Sequence, residues 1–86
     1  MKTLTPFTVH GTTTSTNNNI QLDEISIIAD SETMRALGSF LINAAEEMAQ
    51  YGLEHLHLQD FIENFSHGTH VDIIALNRVA IELPKD

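Results

Sequence analysis

The sequence predicts an α+β domain of two layers, a mostly antiparallel sheet of four to five strands carrying one long helix on one face, in the order ββαββ(β). Three observations predict it. A central run of about 21 residues has helical periodicity with a start and a stop signal. Short segments of alternating polarity flank it on both sides. The chain is 86 residues long and 42% apolar, which suits one domain, 1–86, and is too apolar for disorder.

Taken in order, Phe7 to Thr14 reads as a first strand, because threonine fits a pleated, half-buried surface. Ser15 to Asn19 reads as the hairpin loop, since serine and asparagine side chains bond their own backbone in turns. Ile20 and Leu22, then Ile25, Ile27 and Ala29, alternate with a phase slip at Asp23-Glu24, and the second strand is expected at Glu24 to Ala29. Asp30 or Ser31 can cap the helix that follows, with Asp30 and Glu32 on the favourable side of its dipole and Gly52 as its left-handed stop.

On that helix Met34, Leu37, Gly38, Leu41, Ala44, Ala45 and Met48 share a face, which Phe40, Ile42 and Ala49 widen to an arc on the order of 200°. So broad an arc must touch more than one thing. Gly38 costs about 1 kcal/mol against alanine inside a helix, and close approach of the helix to a sheet would justify it. Beyond Gly52, Leu53 to Leu58 alternates as a half-buried strand with His55 and His57 on one face and Leu56 and Leu58 on the other. Asp60 to His70 is a long connection whose Phe61, Ile62 and Phe65 are expected to tuck against the helix or the sheet edge. Val71 to Leu76 reads as a further strand, and Val79 to Leu83 as a last one that Pro84 ends. Ile28, Ile74 and Leu76 fall out of phase with the core faces, so the far side of the sheet is covered by the 60–70 segment or by another subunit, a homodimer.

Composition narrows the function. Twelve acidic and four basic residues give a formal charge of −8, which opposes the counterion release that drives nucleic-acid binding and repels anionic membranes. No apolar run reaches the ~20 residues of a membrane span, and Met1 to Pro6 lacks the apolar core of a secretory signal, so a cytoplasmic protein is expected. The chain has no cysteine and therefore no disulfide or thiol chemistry.

Two constellations could carry chemistry. His55, His57, His67 and His70 could converge with Asp60, Glu63 or Asp72 on a zinc ion, giving a small metal-binding protein as an alternative reading, although the spacing is permissive and neither metal nor cofactor is expected. A triad of Ser66, His67 and Asp72 can be written down, but no nucleophile-elbow pattern supports it and no enzyme is expected. The acidic residues say more. Glu46 and Glu47 lie in the C-terminal half of the helix, where the dipole disfavours anions, and no Lys or Arg in the last turn offsets them. With Glu54 and Asp60 they give one end of the molecule a negative field able to steer a basic partner.

The runs Ala29-Asp30-Ser31-Glu32, Leu37-Gly38-Ser39-Phe40-Leu41, Ala44-Ala45-Glu46-Glu47-Met48 and His55-Leu56-His57-Leu58-Gln59-Asp60 resemble the small α+β immunity proteins of bacterial polymorphic toxin systems, in particular the family numbered thirty-two. The resemblance covers Ile25 to Asp60, with a looser match at Asp72 to Asn77. It implies a non-enzymatic protein that binds a toxin domain and blocks it. The expected partner-binding residues are then Glu46, Glu47, Glu54, His55, His57 and Asp60, engaging a basic toxin surface.

Overall fold

The computed structural model describes residues 3–13 and 18–81. Strands β1 (Val9–Gly11) and β2 (Ile20–Leu22) form an antiparallel hairpin in which Val9 pairs with Leu22 and Gly11 with Ile20. His10 ties the hairpin internally through Asn19 Oδ1 at 3.0 Å and Thr8 Oγ1 at 3.2 Å. Helix α1 (Ser31–Tyr51) follows, then β3 (His55–His57), the four-residue helix α2 (Leu58–Phe61), β4 (Ile74–Leu76) and the four-residue helix α3 (Arg78–Ile81). β3 and β4 pair antiparallel, with His55 opposite Leu76, Leu56 opposite Ala75 and His57 opposite Ile74.

The two ends of α1 are set by local chemistry. Asp30 Oδ1 accepts from the Thr33 amide at 2.9 Å, satisfying one of the orphan donors of the first turn. That bond, made to the ionised carboxylate, holds the Asp30 pKa below its ordinary value. At the other end Gly52 adopts φ 64, ψ 28 and its amide reaches Met48 O at 2.9 Å. A side chain with a Cβ is strained in that left-handed conformation, so glycine stops the helix there.

The core is small. Phe40 and Ala44 of α1 and Leu58 at the start of α2 are the buried residues among those described, at 1%, 2% and 4% exposure. Phe61 lies against Phe40 with ring centroids 5.8 Å apart, a tilted aromatic pair that docks α2 on α1. Leu56 and Ala75 sit directly opposite each other and half-buried, so one face of the β3–β4 ribbon turns inward while His55, Ile74 and Leu76 lie exposed on the other. Helix α1 packs on β3 and α2, whereas the β1–β2 hairpin packs chiefly on itself.

The architecture is α+β with one long helix, as the sequence implies, but the strands form two separate two-stranded sheets rather than one sheet of four to five. The second strand lies at Ile20–Leu22 and not at Glu24 to Ala29, because the ladder with β1 ends at Leu22 and a bend at Asp23 carries the following residues away from any partner strand. Those residues leave Ile25, Ile27 and Ile28 exposed, Ile28 at 98%. The expected strand from Val79 is instead helical at its start. Asn77 caps it, accepting from the Val79 amide through Oδ1 at 3.2 Å and from Ala80 and Ile81 through its carbonyl, and this local bonding overrides the alternating pattern. Thr14 to Asn17, Glu82 and Leu83, on which the first strand's end, the hairpin loop and the last strand's end were expected, lie outside the described residues.

Gly38 does not approach a sheet. A Cβ built there meets nothing within 4 Å. The face that packs is centred on Phe40 and Ala44, while Met34, Leu41 and Ala45 remain exposed.

Phe40→Ala is expected to destabilise the domain by about 3–5 kcal/mol, since it removes the largest buried side chain and the ring that seats Phe61. Gly52→Ala should cost about 1 kcal/mol through the left-handed backbone alone. Urea unfolding followed by circular dichroism measures both.

Candidate functional site: the histidine strand and its cleft

β3 runs straight into α2, and the junction is bonded at three points. The Leu58 amide donates to Ile73 O at 2.8 Å, which extends the β3–β4 pairing by one residue as the chain turns helical. The Gln59 amide donates to Asp72 Oδ1 at 3.0 Å, and Asp72 Oδ2 lies 2.7 Å from His57 Nδ1. One carboxylate thus holds both the imidazole that ends the strand and the amide that begins the helix. An ionised Asp72 only accepts, so Nδ1 of His57 carries the proton and Nε2 is left for other work. Among the described residues nothing hydrogen-bonds that Nε2.

The Asp72 side chain is 18% exposed and that of His57 29%. Burial pushes the Asp72 pKa up, but the hydrogen bond from His57, the Gln59 amide and the His57 charge together pull it below the ordinary carboxylate value. His55 stacks edge-on against His57 with ring centroids 5.3 Å apart. Its Nδ1 is 3.6 Å from Glu54 Oε1, an exposed pair that contributes little.

These side chains border a shallow cleft of about 230 Å³, lined by Phe40 and Asn43 of α1, His55, Leu56 and His57 of β3, and Asp60 and Phe61 of α2. That volume is below the roughly 300–1,000 Å³ of sites for small molecules and leaves room for about one side chain of a partner. Of the sequence-predicted residues, His55, His57 and Asp60 line the cleft and Glu54 adjoins His55. Glu46 and Glu47 do not line it. Glu47 is half-buried and Glu46 exposed, about 100° apart around α1. The last turn of α1 carries no basic residue, so the dipole's negative end stands uncompensated beside them.

The four histidines of the 55–70 region do not converge. His67 and His70 gather around Phe65, at ring-centroid distances of 4.9 and 5.6 Å, and His70 Nδ1 accepts from the Ser66 amide at 3.0 Å. Among the described residues no three His, Asp or Glu side chains come together as metal ligands would. Asp72, written into a triad with His67, pairs with His57 instead. Sequence reasoning missed that pairing and the contributions of Asn43 and Phe61; the signal lay in the strand register, which sets His57 opposite Ile74 and so brings Asp72 alongside.

The family model of immunity protein 32 matches residues 24–79, more than half of the chain. The chain belongs to the immunity protein 32 family. The match takes in α1, β3, α2, β4 and the first half of α3, hence every residue of the cleft, and leaves out the β1–β2 hairpin. No curated protein and no solved structure gives a significant match. Among the described residues of this immunity protein no helix is long and apolar enough to cross a membrane.

The lowered Asp72 pKa fixes the sign of a pH dependence. Its contribution to stability is fully present above the unfolded carboxylate value, about 3.9, and is lost as pH falls through the lower folded value. Asp72→Asn is therefore expected to lower stability by about 1–2 kcal/mol at pH 7. The variant should also lose less stability than the native protein between pH 5 and 2, as urea titrations across that range would measure.

Proposed function

We propose that this protein neutralises a toxin domain by binding it, without transforming it, and that the contact is made by the histidine strand and the acidic groups around it. Family membership is the observation that carries the reading, since the matched segment contains the whole cleft. The residues engaged are His55, His57 and Asp60 at the cleft, with Glu47 and Glu54 beside it and Glu46 on the margin.

The chemistry favours a basic surface on the toxin. A chain of net charge −8 attracts a cationic partner from a distance, and such steering acts mainly on the association rate. At close range the cleft accepts one cationic side chain, with Asp60 and the Asn43 carbonyl as acceptors and Phe40 and Phe61 as an apolar wall for its stem. His57, anchored by Asp72 on one nitrogen, presents its other nitrogen in a fixed orientation. The same acidic balance disfavours nucleic acid and membrane as partners.

Titration calorimetry and stopped-flow binding against a candidate toxin domain, sought among the products of neighbouring genes, test the proposal. The triple variant Glu47→Lys, Glu54→Lys, Asp60→Lys is expected to bind at least tenfold more weakly, chiefly through slower association at low salt, while Glu24→Lys is nearly neutral. Unchanged affinity in the triple variant would refute the electrostatic contact. Failure of the native protein to bind that domain or to protect cells expressing it would refute the function.

A further inference from the structure

Helix α1 has a second apolar stripe that the described residues cover only in part, Met34, Leu41 and Ala45 lying exposed and Gly38 and Met48 half-buried. Met34, Gly38, Leu41, Ala45 and Met48 follow one another at alternating steps of four and three residues, the spacing of a helix–helix seam rather than of a surface helix. At 100° per residue the stripe lies about 100° around the axis from the buried Phe40–Ala44 line, and Ala49 and Ile42 widen it. Leu41 is 55% exposed, Ile42 64% and Met34 42%. The apolar face continues without a charge into a groove between α1 and α3 lined by Ala45, Ala49, Val79 and Ala80.

From this stripe we infer that two copies of the chain associate through antiparallel α1 helices, about a two-fold axis at Leu41. Two observations favour a second copy over any other occupant. First, the stripe is symmetric in size about Leu41, reading large, small, large, small, large, so the two-fold sets Met34 near Met48 of the other copy and Gly38 near its Ala45. Self-complementarity of this kind is what an isologous interface requires. The small residues let the axes approach and make room for Leu41 at the centre.

Second, Arg35, the one basic residue of α1, and Glu46 lie on the same flank of the stripe and are nearly equidistant from Leu41 along the helix. The antiparallel two-fold therefore places Arg35 of each copy beside Glu46 of the other, a charge complementarity that a parallel pairing, with the two about 16 Å apart, does not give.

Gly38 acquires a reason in this arrangement. Inside a helix it is destabilising, and within the monomer a Cβ there meets only open space, so the room it leaves serves something outside the monomer. The seam lies on the flank of α1 away from the histidine cleft, and apart from Glu46 it shares no residue with the proposed toxin contact.

Sedimentation equilibrium and single-cysteine crosslinking test it. The native chain is expected to be dimeric at micromolar concentration. Gly38→Leu, which fills open space in the monomer and raises helix propensity, should weaken dimerisation at least tenfold with no loss of helicity. Arg35→Glu should weaken the dimer and the double variant Arg35→Glu, Glu46→Arg restore it. Because the chain has no native cysteine, Leu41→Cys should crosslink to a covalent dimer on mild oxidation and Gln50→Cys on the far side should not. A native chain that stays monomeric at 100 µM, or a dimer indifferent to Gly38→Leu, would overturn the inference. A monomer whose toxin affinity falls with Gly38→Leu would assign the stripe to the toxin and equally overturn it.

Discussion

One mismatch governs this protein: the apolar arc of α1 is wider than anything the rest of the described residues lays against it. Packing free energy is concentrated where Phe40 and Ala44 meet Leu58 and Phe61, and that contact fixes where β3 and α2 sit. Everything around the cleft inherits its position from those few side chains. A two-stranded ribbon is marginal by itself, so β3 and β4 depend on the helix they rest on as much as on their own ladder.

The polar design answers the same shortage. With few groups to bury, the chain uses Asp72 twice, once on the His57 ring and once on the amide that opens α2. Asn77 works in the same way, its backbone amide and side-chain amide donating to Glu54 O and Leu53 O while its acceptors start α3. Each residue links segments more than twenty or about fifteen positions apart at little cost in buried polar surface, because each bond is made to backbone or to a charge-matched ring. His57 is thereby held in a fixed orientation at the end of β3.

Geometry separates two kinds of chemistry around one helix. The cleft with His55, His57 and Asp60 lies along one flank, and the uncharged stripe through Leu41 along the other. A small protein can in this way meet a cationic partner by electrostatic attraction while keeping an apolar surface for a different contact, since the two forces do not compete for the same side chains. The family match spans both flanks, from Glu24 to Val79.

Much of this was legible in the residues alone, and the division follows the range of the interaction. Helix α1, its Asp30 cap, its Gly52 stop, the uncompensated acidic end and the surplus width of its apolar arc are written within a few neighbouring positions, because capping, dipole and periodicity are local effects. The strands β1, β3 and β4 were legible as extended segments, and the histidine strand as a polar face. Their pairing was not: the register that brings Asp72 to His57, the loss of the expected strand at Glu24 to Ala29 for want of a neighbour, and the turn of Val79 into a helix under Asn77 depend on which distant segments meet. A ladder exists only when two strands find each other, so a propensity for extended structure leaves the partner open, and tertiary contact alone chooses it.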